Sequence, residues 1–193
     1  MAREIAILRH MTEHNSPYPS DLQVAAQDSL DLPLQAATPC LADNRADISP
    51  AAKTVLKGTK RLLGSLGYGA IEEFPLKNNR RADLLAISKK ADLSIVEVKS
   101  GIADFRADTK WTDYLDFCDR FFFAVSPDFP IDYIKNHPAY SERVGIILAD
   151  QHGGEIIVPS IALPLHTSRR KTIVQRLAFI AGRRAIGDAF VNL

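Results

Sequence analysis

Residues 94–101 read SIVEVKSG, a run of strand-forming residues that ends on a glutamate and a lysine two positions apart. Strand side chains alternate between faces, so Glu97 and Lys99 point to one side, the side that Ile95 also takes. Taking a carboxylate and an ammonium out of water is expensive even when they pair. The triplet is therefore either a structural ion pair at a hairpin edge or half of an active site.

The segments on either side decide how those charges are placed. RADLLAIS (81–88) and LSIVEVKS (93–100) both read as strands, with KKAD as the turn between them. A three-residue loop, 89–91, sets Ser88 opposite Asp92, Leu85 opposite Ile95 and Asp83 opposite Glu97. Leu85, Ile87, Leu93 and Ile95 then share one apolar face, and Asp83, Glu97 and Lys99 extend it at the open end. A two-residue loop would turn Asp83 to the opposite side. The odd loop gathers three charges in one spot and leaves the rest of the face apolar, so it is the register expected.

Asp83 and Glu97 are hard oxygen donors of the kind that hold Mg²⁺ or Mn²⁺. A divalent ion there would polarise a phosphoryl oxygen and acidify a bound water. Lys99 would hold that water or steady the charge that grows on the phosphate.

Upstream, Ser49 reads as a helix N-cap with Pro50 at the first helical position. Val55, Leu62, Leu63 and Leu66 supply an apolar face, and Gly67 and Gly69 end the run. AIEEFPL (70–76) is a strand and KNNRR a turn. Downstream, DFRADTKWTDYLDFC (104–118) fits a helix with Trp111, Leu115 and Cys118 inward. RFFFAVS (120–126) reads as a central strand buried on both faces. IDYIKNH is a short helix, RVGIILAD and EIIVPSIAL form a hairpin, and a basic helix near 168–184 turns Ile173, Leu177 and Ile180 inward. The order predicts an α/β domain, a mixed sheet flanked by helices. Residues 1–48 carry Pro17, Pro19, Pro33 and Pro39 and read as an extended or weakly structured arm, leaving 49–193 as the folded domain.

At 193 residues, 46% hydrophobic and 24% charged, the chain has the make-up of one soluble domain. No apolar run approaches the length of a membrane span, so no membrane partner is expected. The apolar patch at the N-terminus is broken by Arg9 and His10, which argues against a secretory signal. Cys40 and Cys118 lack metal-ligand spacing and suit a cytoplasmic setting. The net charge of +1 hides an asymmetry, because residues 168–184 hold six basic residues and no acid. Arg169, Arg176 and Arg183, seven apart, either track an anionic backbone or form a solvated stripe.

RAD and, after thirteen intervening residues, EVK resemble the PD-(D/E)xK nuclease signature, as Asp83, Glu97 and Lys99. The element order is similar to that superfamily's restriction-endonuclease-like core. Ala82 stands where the signature often has proline. In some branches a glutamine and a tyrosine four apart follow on the next helix; Lys110 and Tyr114 match the spacing, with lysine in place of glutamine. An early glutamate is common, and either Glu73 or Glu72 fills that place. GTKRLLGSLGYGAIEEFPLKNNRRADLLAI and IVEVKSGIADFRADTKWTDYLDFCDRFFFAV resemble the MmcB-like DNA-repair family, small bacterial proteins placed within that superfamily.

The resemblance implies a DNA-repair protein that hydrolyses phosphodiester bonds with Mg²⁺ or Mn²⁺. Asp83 and Glu97 would bind the metal, Lys99 would support the water and transition state, and Glu73, Lys110 and Tyr114 would assist. DNA is the partner implied, with other repair proteins and a homodimer as further possibilities. Superfamily members without activity form a class, so a non-cleaving DNA-binding module, or a scaffold recruiting through the acidic arm, stands as the alternative.

Arg80 and Arg81 beside Lys77 form a basic turn that either contacts phosphates or is simply solvated. Arg106 and Lys110, four apart, could clamp a phosphate, with Asp113 and Asp116 as competing local partners. Trp111 and Phe121–Phe123 read as core. The five histidines form no zinc pairing. There is no P-loop and no GxGxxG, and no Ser-His-Asp or Cys-His set has supporting context, so nucleotide hydrolysis and covalent catalysis lack support.

Overall fold

The turn between the central hairpin strands sets the register of the sheet. In the computed structural model, which describes residues 49–191, Ser88 N–H donates to Asp92 O at 3.0 Å and Ala91 N–H to Ser88 O at 2.9 Å. Ser88 Oγ accepts from the N–H groups of Lys90 and Asp92. Ala91 sits at φ 63°, the left-handed position that closes a three-residue hairpin loop. β2 (Arg81–Ile87) and β3 (Leu93–Lys99) thus pair antiparallel, with Leu85 opposite Ile95, in the register that the alternation predicts.

β1 (Gly69–Pro75) pairs antiparallel with β2. β4 (Arg120–Val125) and β5 (Val144–Ala149) continue the sheet in parallel from β3, and β6 (Gly154–Val158) closes it antiparallel. The strand order is β1-β2-β3-β4-β5-β6. This six-stranded mixed sheet flanked by helices is the expected α/β fold.

α1 (Pro50–Ser65) starts where Ser49 Oγ accepts from Ala52 N–H. It ends in a Schellman motif: Gly67, at φ 79°, donates to Gly64 O, and Tyr68 N–H donates to Leu63 O. α1 covers one face of the sheet, packing Val55 and Leu63 on Leu84, Val96 and Phe122. Its inner face differs from the expected one. Leu66 is exposed, while Gly58 and Thr59 are buried. A Cβ on Gly58 would lie 2.1 Å from Asp150 O, so the helix meets the β5–β6 turn at its glycine.

α2 (Ile102–Ala107), a 3-10 helix (Trp111–Phe117), α3 (Asp132–Lys135) and α4 (Thr167–Val191) cover the other face. There Phe105, Trp111, Ile134 and Ile173 pack on Ile95, Phe121 and Phe123. The single helix expected over 104–118 is broken. Asp108 Oδ1 accepts from Lys110 N–H at 3.3 Å, a side-chain turn that competes with helix. The 3-10 helix beyond has three residues per turn, which brings Tyr114 inward beside Trp111, with Leu115 partly buried against the same core. Arg106 and Lys110 therefore share no helical face.

The last strand stops at Val158 and does not run on to 163. Pro159 has no N–H to give the ladder. Ser160 folds inward, its Oγ donating to Arg143 O at 2.6 Å. α4 extends past the expected end at 184. Residues 1–48, with the expected arm, His10, His14 and Cys40, lie outside the described residues. Among those described, no helix is long and apolar enough to cross a membrane.

Candidate active site

The ladder between β2 and β3 ends at Leu84 and Val96. One step on, two carboxylates replace the backbone pairing. Asp83 N–H donates to Glu97 Oε1 at 3.1 Å, and Val98 N–H donates to Asp83 Oδ2 at 2.8 Å. Each strand's carboxylate is thus held by the other strand's backbone. Ala82 and Leu85 both pack in the larger core, whereas Leu84 packs under α1. The alternation therefore slips by one residue at Asp83.

The neighbouring strand is kinked at the same level. Glu73 has φ 55°, and pairing resumes at Phe74–Ala82. A left-handed residue other than glycine costs about 1–2 kcal/mol, and such strain gathers at functional sites. The kink separates the two glutamates. Glu72 pairs with Lys60. Glu73 pairs with Arg81 Nε and lies close enough to Asp83 for its charge to act there.

Burial pushes the Asp83 carboxyl up to about 6, against the Val98 N–H and Lys99, with Glu73 and Asp104 adding to the rise. Glu97, only 4% exposed, is pushed well above the usual range by burial and then by the charge of Asp83. Both carboxyls are thus raised first by loss of water and then by neighbouring acids.

Lys99 is 5% exposed, and its Nζ lies 2.6 Å from Asp108 Oδ2. It also sits over the Phe123 ring, 5.8 Å from the centroid. Asp108, which the sequence reading missed, is thus the residue that holds the lysine. Asp104 lies near Asp83 and accepts from Ser100 N–H and Oγ, each at 2.9 Å. The signal available was a pair of aspartates four apart, just after EVKSG.

Tyr114 stacks on Phe121, and its hydroxyl donates to Arg81 O at 3.1 Å. Burial, then the charges of Glu97, Asp83 and Asp108, hold its phenol above the usual range. Of the basic turn, Arg80 leans toward these groups. Its guanidinium lies 3.2 Å from Asp113 Oδ2, 4.0 Å from Asp108 Oδ1 and 5.7 Å from the Tyr114 centroid. Arg81 is engaged by Glu73. Lys110 is exposed, and its backbone N–H meets Asp108. Arg106 packs over Tyr133, 4.9 Å from the ring centroid, away from any pairing with the site carboxylates.

A divalent cation fits the carboxylate pair. Asp83 Oδ1 and Glu97 Oε2 have no hydrogen-bond partner among the described residues. A cation between them would offset the burial that raises both carboxyls and the charge that Asp83 adds at Glu97. Among the described residues, no group of three or more His, Cys, Asp or Glu side chains is placed to hold a metal. The shell would therefore be completed by water and substrate phosphate, the arrangement Mg²⁺ favours.

Comparison with known proteins adds a family to this geometry. The family described as DNA repair protein MmcB-like matches residues 37–189. The chain belongs to the MmcB-like DNA repair family. That membership points to a role in DNA repair and leaves the chemistry open. A solved structure, the SPO1766 protein of unknown function from Silicibacter pomeroyi, shares 34% identity over 72% of this MmcB-like chain and 90% of that one, with a TM-score of 0.64. No curated protein matches the chain.

Proposed function

We propose that this MmcB-like protein is a metal-dependent deoxyribonuclease of DNA repair, built on a restriction-endonuclease-like core of the PD-(D/E)xK type. The observation that carries the reading is the pair Asp83–Glu97, wedged where β2 and β3 part, with buried Lys99 two residues on. Asp83, Glu97, Glu73, Asp104 and Asp108 outnumber the nearby cations Lys99, Arg80 and Arg81. A phosphodiester is repelled from such a site unless a cation stands between.

Asp83 and Glu97 would hold Mg²⁺ or Mn²⁺ through their outward oxygens. When bound, such an ion supplies Lewis-acid polarisation of the phosphoryl oxygen and a more acidic water. Lys99, positioned by Asp108, offers its ammonium to the charge that develops on the phosphate. Tyr114 keeps its proton and fixes the Arg81 backbone, so it acts as a positioning group. Arg80 is placed to take a phosphate oxygen, and Lys110 reaches solvent beside it. DNA is the substrate this chemistry serves, a homodimer would allow both strands to be cut, and the cytoplasm is the compartment that suits the role.

A second reading is favoured by one observation. Lys99 is already paired with Asp108 and Glu73 with Arg81, which suits a DNA-binding or scaffolding repair module that does not cut.

Hydrolysis of a panel of labelled DNA structures separates the two. With Mg²⁺ or Mn²⁺ the wild type should cut at least one structure, chelator should stop it, and Glu97→Gln and Lys99→Ala should each lower the rate at least a hundredfold. Binding without cleavage, unchanged in both variants, would leave the second reading standing.

A further inference from the structure

A cavity of about 360 Å³ lies between α4 and the β1–β2 turn, within the range of pockets that hold small organic groups, roughly 300–1,000 Å³. Its floor is apolar, with Phe74, Phe117 and Ile173, and its rim carries Lys77, Arg169 and Arg176. Among the described residues no carboxylate lines it. The Arg169 guanidinium is held over the Phe117 ring, 5.5 Å from the centroid, with NH1 donating to Asp116 O at 2.7 Å. The catalytic carboxylates take no part here. The β1–β2 turn connects the two places, because Lys77 lines the cavity and Arg80, three residues on, reaches toward Asp108.

An apolar floor with a rim of three cations is complementary to a flat apolar ring joined to an anion. We propose that this groove is a subsite for one unpaired nucleotide of a DNA strand whose backbone runs toward the carboxylate site. The proposal rests on the nucleic-acid reading above and adds a preference for single-stranded or frayed DNA. The base stacks on the Phe117–Arg169 platform, since aromatic rings and guanidinium planes both accept base faces. Lys77 and Arg176 take the flanking phosphates.

The test is fluorescence anisotropy of the full chain with a labelled oligo-dT, a duplex of equal length, and an oligo-dT carrying abasic positions, all at two salt concentrations. Phe117→Leu, which keeps an apolar group in place, should weaken oligo-dT binding by about five- to a hundredfold and leave duplex and abasic binding nearly unchanged. Lys77→Ala with Arg176→Ala should weaken oligo-dT binding and shrink its salt slope by about 1 to 2. Thermal unfolding of each variant confirms that it is folded. Equal loss for single-stranded and duplex DNA, or no loss for either variant, would overturn the subsite and leave the nuclease reading intact. Failure of the wild type to bind any of the three DNAs would overturn both.

Discussion

Asp83 and Glu97 sit where they weaken the fold. Burial pushes the Asp83 carboxyl up to about 6 in the folded chain from an ordinary value of 3.8, so between those values the folded protein binds more protons than the unfolded one. Stability from this group is therefore full below about pH 4 and is lost as pH rises through about 6. Asp83→Asn keeps an acceptor for the Val98 N–H and removes the charge. It should raise stability at pH 7 by up to about 3 kcal/mol, and the gain should vanish near pH 4. Thermal unfolding across that range reads it, and a gain independent of pH would contradict the electrostatic account. Glu97 and Lys99 were legible from the period of two along β3, and the three-residue loop brought Asp83 to the level of Glu97, but the slip of β2 at Asp83 was not legible. Glu73 was not separable from Glu72, because the choice hangs on a left-handed residue that is neither glycine nor asparagine. Asp108 was hidden because it breaks the helix that the pattern predicted.

Elements are tied together by a second charged pair that lies outside the candidate site. Arg170 on α4 forks onto Asp119 at 2.7 and 2.6 Å and also donates to Ala91 O in the β2–β3 turn. Asp119 accepts in addition from Leu93 and Leu165 N–H. Burial would raise its carboxyl, but Arg170 and these two N–H groups outweigh burial and hold it below the usual range. With a folded value below the unfolded one, the clamp stabilises above about pH 3.8 and is lost as pH falls through the folded value. Arg170→Met should cost about 3–5 kcal/mol at pH 7, because it strands a buried carboxylate. Urea titration checks this, and a loss under 1 kcal/mol would mean that α4 is held mainly by Ile173 and its apolar neighbours. α1 offers a parallel case. Its start was legible from Ser49-Pro50 and its buried face in part, through Val55 and Leu63, but the contact of Gly58 with the β5–β6 turn is tertiary and was not. Gly58→Ala should destabilise by about 2 kcal/mol or more, whereas an alanine at Gly64, which has open space around it, should not.

At the scale of the whole molecule, the alternation of strand and helix periods was enough to give the mixed sheet. Six strands and the inward faces of α4 followed from where apolar residues recur. The fold departs from that pattern at Asp108, Pro159 and Ser160, where side chains compete with the backbone or block its ladder, and at Gly58, where α1 meets the β5–β6 turn. The cation-rimmed groove was invisible in sequence because Lys77 and Arg176 meet only after β1 and α4 pack. We propose that Asp83 and Glu97 hold one divalent ion between two strands for phosphodiester chemistry. The measurement that tests it most directly is a Mn²⁺ titration followed by electron paramagnetic resonance, wild type beside Asp83→Asn and Glu97→Gln. The account predicts one Mn²⁺ per chain at pH 7.5, affinity that weakens toward pH 5 as the carboxylates take up protons, and loss of binding in both variants. No bound Mn²⁺ in the wild type, or undiminished binding in both variants, would contradict it.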